Sequence, residues 1–223
     1  MKRPAPWLRA VGLALLASAA GGCAALGWTI AQSHRPKVPA VYEPPPRKVV
    51  LVLVDDLQHP VSYTPVKYEL TQRLNELLET HKVAADTVPY DYLQRYRFAT
   101  DRFNSLSVVE IGRGVGADLV LHVEITDFSL RDYEMTDLWH GRLDGRLQWV
   151  DTEAGRKLWP RDRAMHPLDE IDLPKATDRS PSYAETVARK LADEAAGRIA
   201  RLFYEHEQPL EPPRTDWSQY EDG

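Results

Sequence analysis

The chain has 223 residues, 28 basic and 33 acidic, and a net charge of −5 with its histidines neutral. A net acidic surface argues against nucleic-acid binding, which draws on basic patches, and a single cysteine excludes an internal disulfide. No internal repeat is visible, and the stretch 47–206 has the length of one domain with one core.

Residues 1–9 carry Lys2, Arg3 and Arg9 and no acid, and residues 10–19 form a short apolar run. This is the pattern of a secretory signal peptide over residues 1–22. The run is too short to span a bilayer as a helix, which takes about 20 residues. The run ends in Ala20-Gly21-Gly22-Cys23, which holds the only cysteine of the chain. These residues resemble the lipobox of bacterial lipoproteins, although the usual leucine is replaced by Ala20. The resemblance implies lipidation at Cys23, which becomes the new N-terminus, and attachment to the lipid bilayer through the acylated Cys23. Ala24, where aspartate is absent, implies sorting to the outer membrane, with the inner membrane as the alternative. The competing reading is an incidental cysteine, but an unpaired thiol is a liability in an oxidising compartment. Removal of residues 1–22 takes away three basic residues and leaves 25 against 33 acids, a net charge of −8.

Residues 23–46 hold Pro36, Pro39, Pro44, Pro45 and Pro46 with little apolar periodicity. They read as an extended linker that reaches at most about 70 Å in polyproline geometry. The Val-rich run 48–54 does not alternate and predicts a strand covered on both faces. Asp55-Asp56 ends it. Thr64-Pro65 predicts a helix start with Thr64 as the cap. The stripe Val66, Leu70, Leu74, Leu77 and Leu78 carries that helix to residue 81, where His81 and Lys82 suit a helix C-terminus. A short strand is expected at 83–88, a short helix from Pro89, and a second over about 104–113, capped by Ser105 or Ser107 and stopped by Gly112, Gly114 and Gly116.

A strand follows at 118–125, continuing past Phe128. The segment 139–151 alternates in its second half and reads as the first arm of a hairpin, with its turn at 152–155 and a return strand from 156 to 159. Residues 164–180 read as a loop. The last helix is expected over 182–205, starting near Ser180-Pro181 or at a capping box Ser182-x-x-Glu185, with Tyr183, Val187, Leu191, Ala195, Ile199 and Leu202 as its apolar stripe. Residues 207–223, with three prolines and five acids, read as a disordered acidic tail.

Two local features stand in this order. One is Gly116-Ala117-Asp118-Leu119-Val120-Leu121, a glycine-stopped helix feeding a strand. The other is Trp149-Val150-Asp151-x-x-x-Gly155-x-x-Leu158-Trp159, a hairpin with an acid and a glycine at its turn. Together they resemble a group of envelope lipoproteins and periplasmic domains: the curli-secretion lipoprotein, the lipoprotein activators of penicillin-binding proteins and the N-terminal domain of the TolB protein. The resemblance covers residues 48–205. The polar stretch 130–140 departs from it and lacks the long amphipathic hairpins of a pore-former, so pore formation is not implied.

The seven histidines are His34, His59, His81, His122, His140, His166 and His206. None stand at helical metal spacing and there is no His-Glu-x-x-His, so no metal site is expected. His122 lies in an apolar strand and reads as structural. Asp55-Asp56 is either a carboxylate pair at the C-terminal end of a strand, where α/β folds place sites, or a turn whose acids satisfy backbone N–H groups, the reading favoured here. Gly112-Arg113-Gly114-Val115-Gly116 follows a helix and precedes a strand, the reverse of a phosphate loop. No serine sits in a Gly-x-Ser-x-Gly context. Trp139, Trp149 and Trp159 cluster in the hairpin region, in the core or as an exposed protein contact.

The expected fold is α/β (α+β): a mixed sheet of about five strands with helices packed on it, after a signal peptide and a Pro-rich linker. No catalytic residue, cofactor or metal is assigned. The expected role is a non-enzymatic, membrane-anchored periplasmic accessory protein that binds another envelope protein in assembly, secretion or transport. A small-ligand-binding lipoprotein is the alternative, and a tethered hydrolase using Asp55, Asp56 or scattered histidines is the third.

Overall fold

The computed structural model describes residues 36–56, 61, 63, 65–131, 138–175 and 180–208. Cys23, His34, His59, Thr64 and the tail beyond 208 therefore lie outside the described residues. The described chain falls into two compact units, residues 36–39 with 205–208, and residues 40–204.

The chain enters through β1 (Lys37–Val38). In the larger unit β2 (Val49–Asp55) leads to helix α1 (Pro65–Thr80) and the two-residue β3 (Asp86–Thr87). Helix α2 (Tyr90–Ala99), a 3-10 turn (Phe103–Ser105) and helix α3 (Val108–Gly114) follow. Then come β4 (Leu119–Arg131), β5 (Trp139–Asp151), β6 (Arg156–Trp159), β7 (His166–Asp172) and helix α4 (Tyr183–Arg201). Finally β8 (His206–Glu207) pairs antiparallel with β1, and the Lys37 ammonium sits 2.5 Å from Glu205.

One six-stranded mixed sheet organises the larger unit, in the order β3-β2-β4-β5-β6, with β7 also on β5. β2 is parallel to β3 and β4, and the pairs after β4 are antiparallel. This is the expected α+β class with a mixed sheet. The run in β2 does not alternate because both faces are covered. Val50 and Val52 face one core with Leu70 and Leu74 of α1 and Leu191 of α4. Leu51 and Leu53 face a second core with Leu93 of α2 and Ile111 of α3.

The helix ends show local causes. α1 stops because Lys82 takes a left-handed conformation (φ 59°). Lys82 N–H then donates to Glu79 O at 3.0 Å, and Val83 N–H to Leu78 O at 2.8 Å, the closure usually given to glycine. α3 starts on a complete capping box, Ser107 with Glu110, so Ser107 rather than Ser105 is the cap. Gly112 and Gly114 lie inside α3 and do not stop it. Only Gly116, at φ +75°, does so.

Three expectations need correction. Residues 40–46 are not extended linker: Val41 and Tyr42 N–H donate to Leu202 O, Tyr42 stacks on Trp159, and Pro44 is buried. An irregular segment covers the core there without any periodicity to announce it. Residues 164–180 are not all loop, because β7 occupies His166–Asp172. Its two buried residues, Leu168 and Ile171, are three apart because the register slips between Leu143 and Gly145 of β5. That bulge destroys the period-two signal. Finally, Ser182 precedes α4 in a helical conformation without a side-chain cap, so the expected capping box is not made.

Candidate functional site

The site follows from strand register. Leu53 of β2 lies opposite His122 of β4, and Asp55 opposite Glu124. On the other side of β4, His122 lies opposite Gln148 of β5, and Glu124 opposite Arg146. Alternation puts all these side chains on the face that carries α2 and α3. Those helices cover the lower part of that face, around Leu51, Val120 and Val150. Above them a polar row crosses three strands at the C-terminal end of β2, the place where α/β sheets hold ligands.

The row is tied together internally. The Gln148 amide donates to His122 Nδ1 at 3.1 Å, which leaves Nε2–H to donate to Asp55 Oδ2 at 2.5 Å. Arg146 grips Glu124 with two parallel bonds, Nε to Oε2 at 2.9 Å and Nη2 to Oε1 at 2.8 Å. Glu124 thereby tightens the proton on the Arg146 guanidinium, with the Asp55 charge adding to it. His122 and Glu124 are buried, so these bonds replace lost hydration.

Asp56 turns to the other face. Its carboxylate accepts from Val61 N–H at 2.8 Å and from the Lys67 ammonium at 2.9 Å. Burial pushes this carboxyl up, but Lys67 and the Val61 amide outweigh it and hold it below the usual aspartate range. Asp56 thus satisfies a backbone N–H group and pairs with Lys67, while Asp55 belongs to a side-chain pair with His122.

These groups border a cavity of about 350 Å³, within the range of small-ligand pockets. Leu93, Phe103, Leu106 and Ile111 give it an apolar lining, and Tyr90, Gln94 and Arg97 of α2 line it with polar groups. Arg97 Nη2 donates to the neutral Asn104 side chain at 3.1 Å, and its guanidinium lies 5.3 Å from the Phe103 ring centre. Burial raises the Tyr90 phenol, with Arg97 opposing.

The other expected candidates are dispersed. His81 stacks on Tyr204, His140 binds Asp172, and His166 packs on Trp159. No cluster of three metal-ligating side chains occurs among the described residues. The tryptophans of the hairpin region pack inward: Trp139 donates to Ser180 O at 2.7 Å, and Trp149 is fully buried against Phe203. Among the described residues the exposed aromatics are instead Tyr68 of α1 with Tyr92 and Phe98 of α2, and Phe98 is 87% exposed. Sequence reasoning missed this surface, although the signal was there. Helix α2 reads Tyr-Asp-Tyr-Leu-Gln-Arg-Tyr-Arg-Phe-Ala and buries only Leu93.

No family model and no curated protein matches the chain. It is similar in fold to the lipoprotein GNA1162 from Neisseria meningitidis, at 11% identity and a TM-score of 0.42, over 67% of this chain and 98% of that one. It is similar also to PelC, a dodecamer from Paraburkholderia phytofirmans, at 12% identity and a TM-score of 0.36, over 75% and 96%. A third is the C-terminal domain of LpoB from Salmonella enterica, at 16% identity and a TM-score of 0.36, over 57% and 84%. Bacterial lipoproteins thus stand among the solved structures that resemble it.

Proposed function

We propose that the chain is a lipid-anchored lipoprotein of the bacterial envelope whose globular unit binds a partner protein without catalysing a reaction. The observation that carries this reading is helix α2, which buries only Leu93 and leaves Tyr92 and Phe98 exposed on its outward side. Large aromatic side chains are enriched among the anchors of protein contacts. Behind that helix both ring nitrogens of His122 are engaged, by Asp55 and Gln148, in a network that fixes the polar row in place.

The anchor rests on the signal pattern and on Cys23. Labelling cells with a fatty-acid analogue tests it: the wild-type chain takes the label and Cys23→Ser does not, while equal labelling of both contradicts it. The site of attachment is proposed as the periplasmic face of the outer membrane. Crosslinking from membranes with the anchor retained tests the partner. One envelope protein recovered in stoichiometric yield is expected. A bound small molecule with no protein partner favours the small-ligand reading, for which the cavity speaks.

A further inference from the structure

The charged groups that line the cavity fall into two kinds. Asp56 is neutralised by Lys67 at 2.9 Å, and Glu124 by Arg146 at 2.8 Å. Asp55 and Arg97 have no such counter-ion. Asp55 accepts from His122, which donates as a neutral imidazole while Gln148 occupies its other nitrogen. The charge of Asp55 is felt by Arg146, but the two bonds of that guanidinium go to Glu124. Among the described residues nothing donates to Asp55 Oδ1, and the side chain is 23% exposed. Arg97, on the cavity side of α2 with Leu93 and Gln94, meets only the neutral Asn104 side chain and the Phe103 ring. The lining thus presents one negative and one positive charge outside any ion pair, beside the apolar Leu93, Leu106 and Ile111.

We propose that the cavity binds a small zwitterion of the α-amino-acid class, with its ammonium on Asp55, its carboxylate on Arg97 and an apolar side chain against Leu93 and Ile111. Charge decides between ligand classes. A plain carboxylic acid would leave Asp55 unmatched and set a second negative charge in the same cavity. A plain amine would leave Arg97 unmatched and add a second positive one. A zwitterion meets both charges and leaves the net charge of the site unchanged, and an ion left unmatched in a partly desolvated site is costly. The donor fork of Arg97 suits a carboxylate, and Asp55 Oδ1 is an acceptor for an ammonium. Volume sets the size: about 350 Å³ lies at the small end of ligand pockets, which run from about 300 to 1,000 Å³, and so suits one amino acid rather than a peptide. Tyr92 and Phe98 do not line the cavity, so this site goes beyond the partner-binding reading and does not depend on it.

Equilibrium dialysis of the full chain in phospholipid nanodiscs tests this with four probes. Phenylalanine carries both charges and an apolar body, 3-phenylpropionate lacks the ammonium, phenethylamine lacks the carboxylate, and glycine lacks the apolar body. Phenylalanine is expected to bind at least about tenfold more tightly than each of the other three, because a site built for a polar group rejects an analogue without it. Arg97→Gln should bring phenylalanine down to the level of phenethylamine and leave phenethylamine binding unchanged. Asp55→Asn should bring it down to the level of 3-phenylpropionate. The comparison in the wild-type chain decides even where a variant fails to fold. The proposal is overturned if phenylalanine is not bound, if either single-charge analogue binds as tightly, or if the folded variants keep the wild-type preference. Photo-crosslinking from position 98 tests the partner-binding reading separately. Partner crosslinks without phenylalanine binding defeat this proposal alone, and phenylalanine binding without crosslinks defeats the partner-binding reading alone.

Discussion

Asp55 and His122 face each other diagonally across the parallel pair β2 and β4, 67 residues apart, with the imidazole Nε2 2.5 Å from the carboxylate. Gln148 fixes the other ring nitrogen, so the pair is held at the floor of the cavity and joins three strands. Replacing His122 with Ala strands the Asp55 carboxylate and the Gln148 amide. A loss of about 1–3 kcal/mol is expected, read by urea denaturation of the full chain. Unchanged stability would mean that water serves both partners equally well.

Asp56 and Lys67 set an acid limit. The folded carboxyl lies below its ordinary value, so its contribution is complete above about pH 4 and lost as pH falls through the lowered value. In Lys67→Met only the backbone amides of Val61 and Asp56 oppose burial. The acid-unfolding midpoint of this variant is expected to move to higher pH, as followed by tryptophan fluorescence in a pH titration. A midpoint at the wild-type pH would remove Lys67 from the account.

Two glycine-to-alanine changes should act in opposite directions. A Cβ on Gly112 would stand 2.6 Å from both Thr152 Cγ2 and Val120 Cγ2, branched side chains packed in the interior. Gly112→Ala is expected to cost about 1–3 kcal/mol. On Gly197 of α4 a Cβ meets nothing nearer than Arg201, at 3.8 Å, and alanine there should add about 0.5–1 kcal/mol through helix propensity. Thermal melts of the two variants measure both signs.

Much of the fold was legible because its strongest signals are local. The unbroken Val-Leu run announced a doubly covered strand, and Pro65, Pro89 and Ser107 marked helix starts. What escaped depends on long-range pairing. β7 was hidden by the bulge in β5, and Tyr42 and Pro44 pack without periodicity. For the site, Asp55 and Asp56 were visible as a pair, but their opposite fates depend on which face each side chain takes. His122 read as structural because its neighbours are apolar; Asp55 and Gln148 reach it only through the register of β2, β4 and β5. The outward aromatics of α2 were legible as residues and not as a surface, since exposure is a tertiary property.

The account turns on the outward face of α2, and one measurement addresses it most directly. A photo-crosslinking residue is placed at Phe98, and at Lys190 on the exposed side of α4 as the control, in cells producing the full lipidated chain. The account expects one envelope protein crosslinked in high yield from position 98, none from position 190, and loss of the adduct when Tyr92→Asp is added. Equal crosslinking from both positions, or none from position 98 in intact cells, would contradict it.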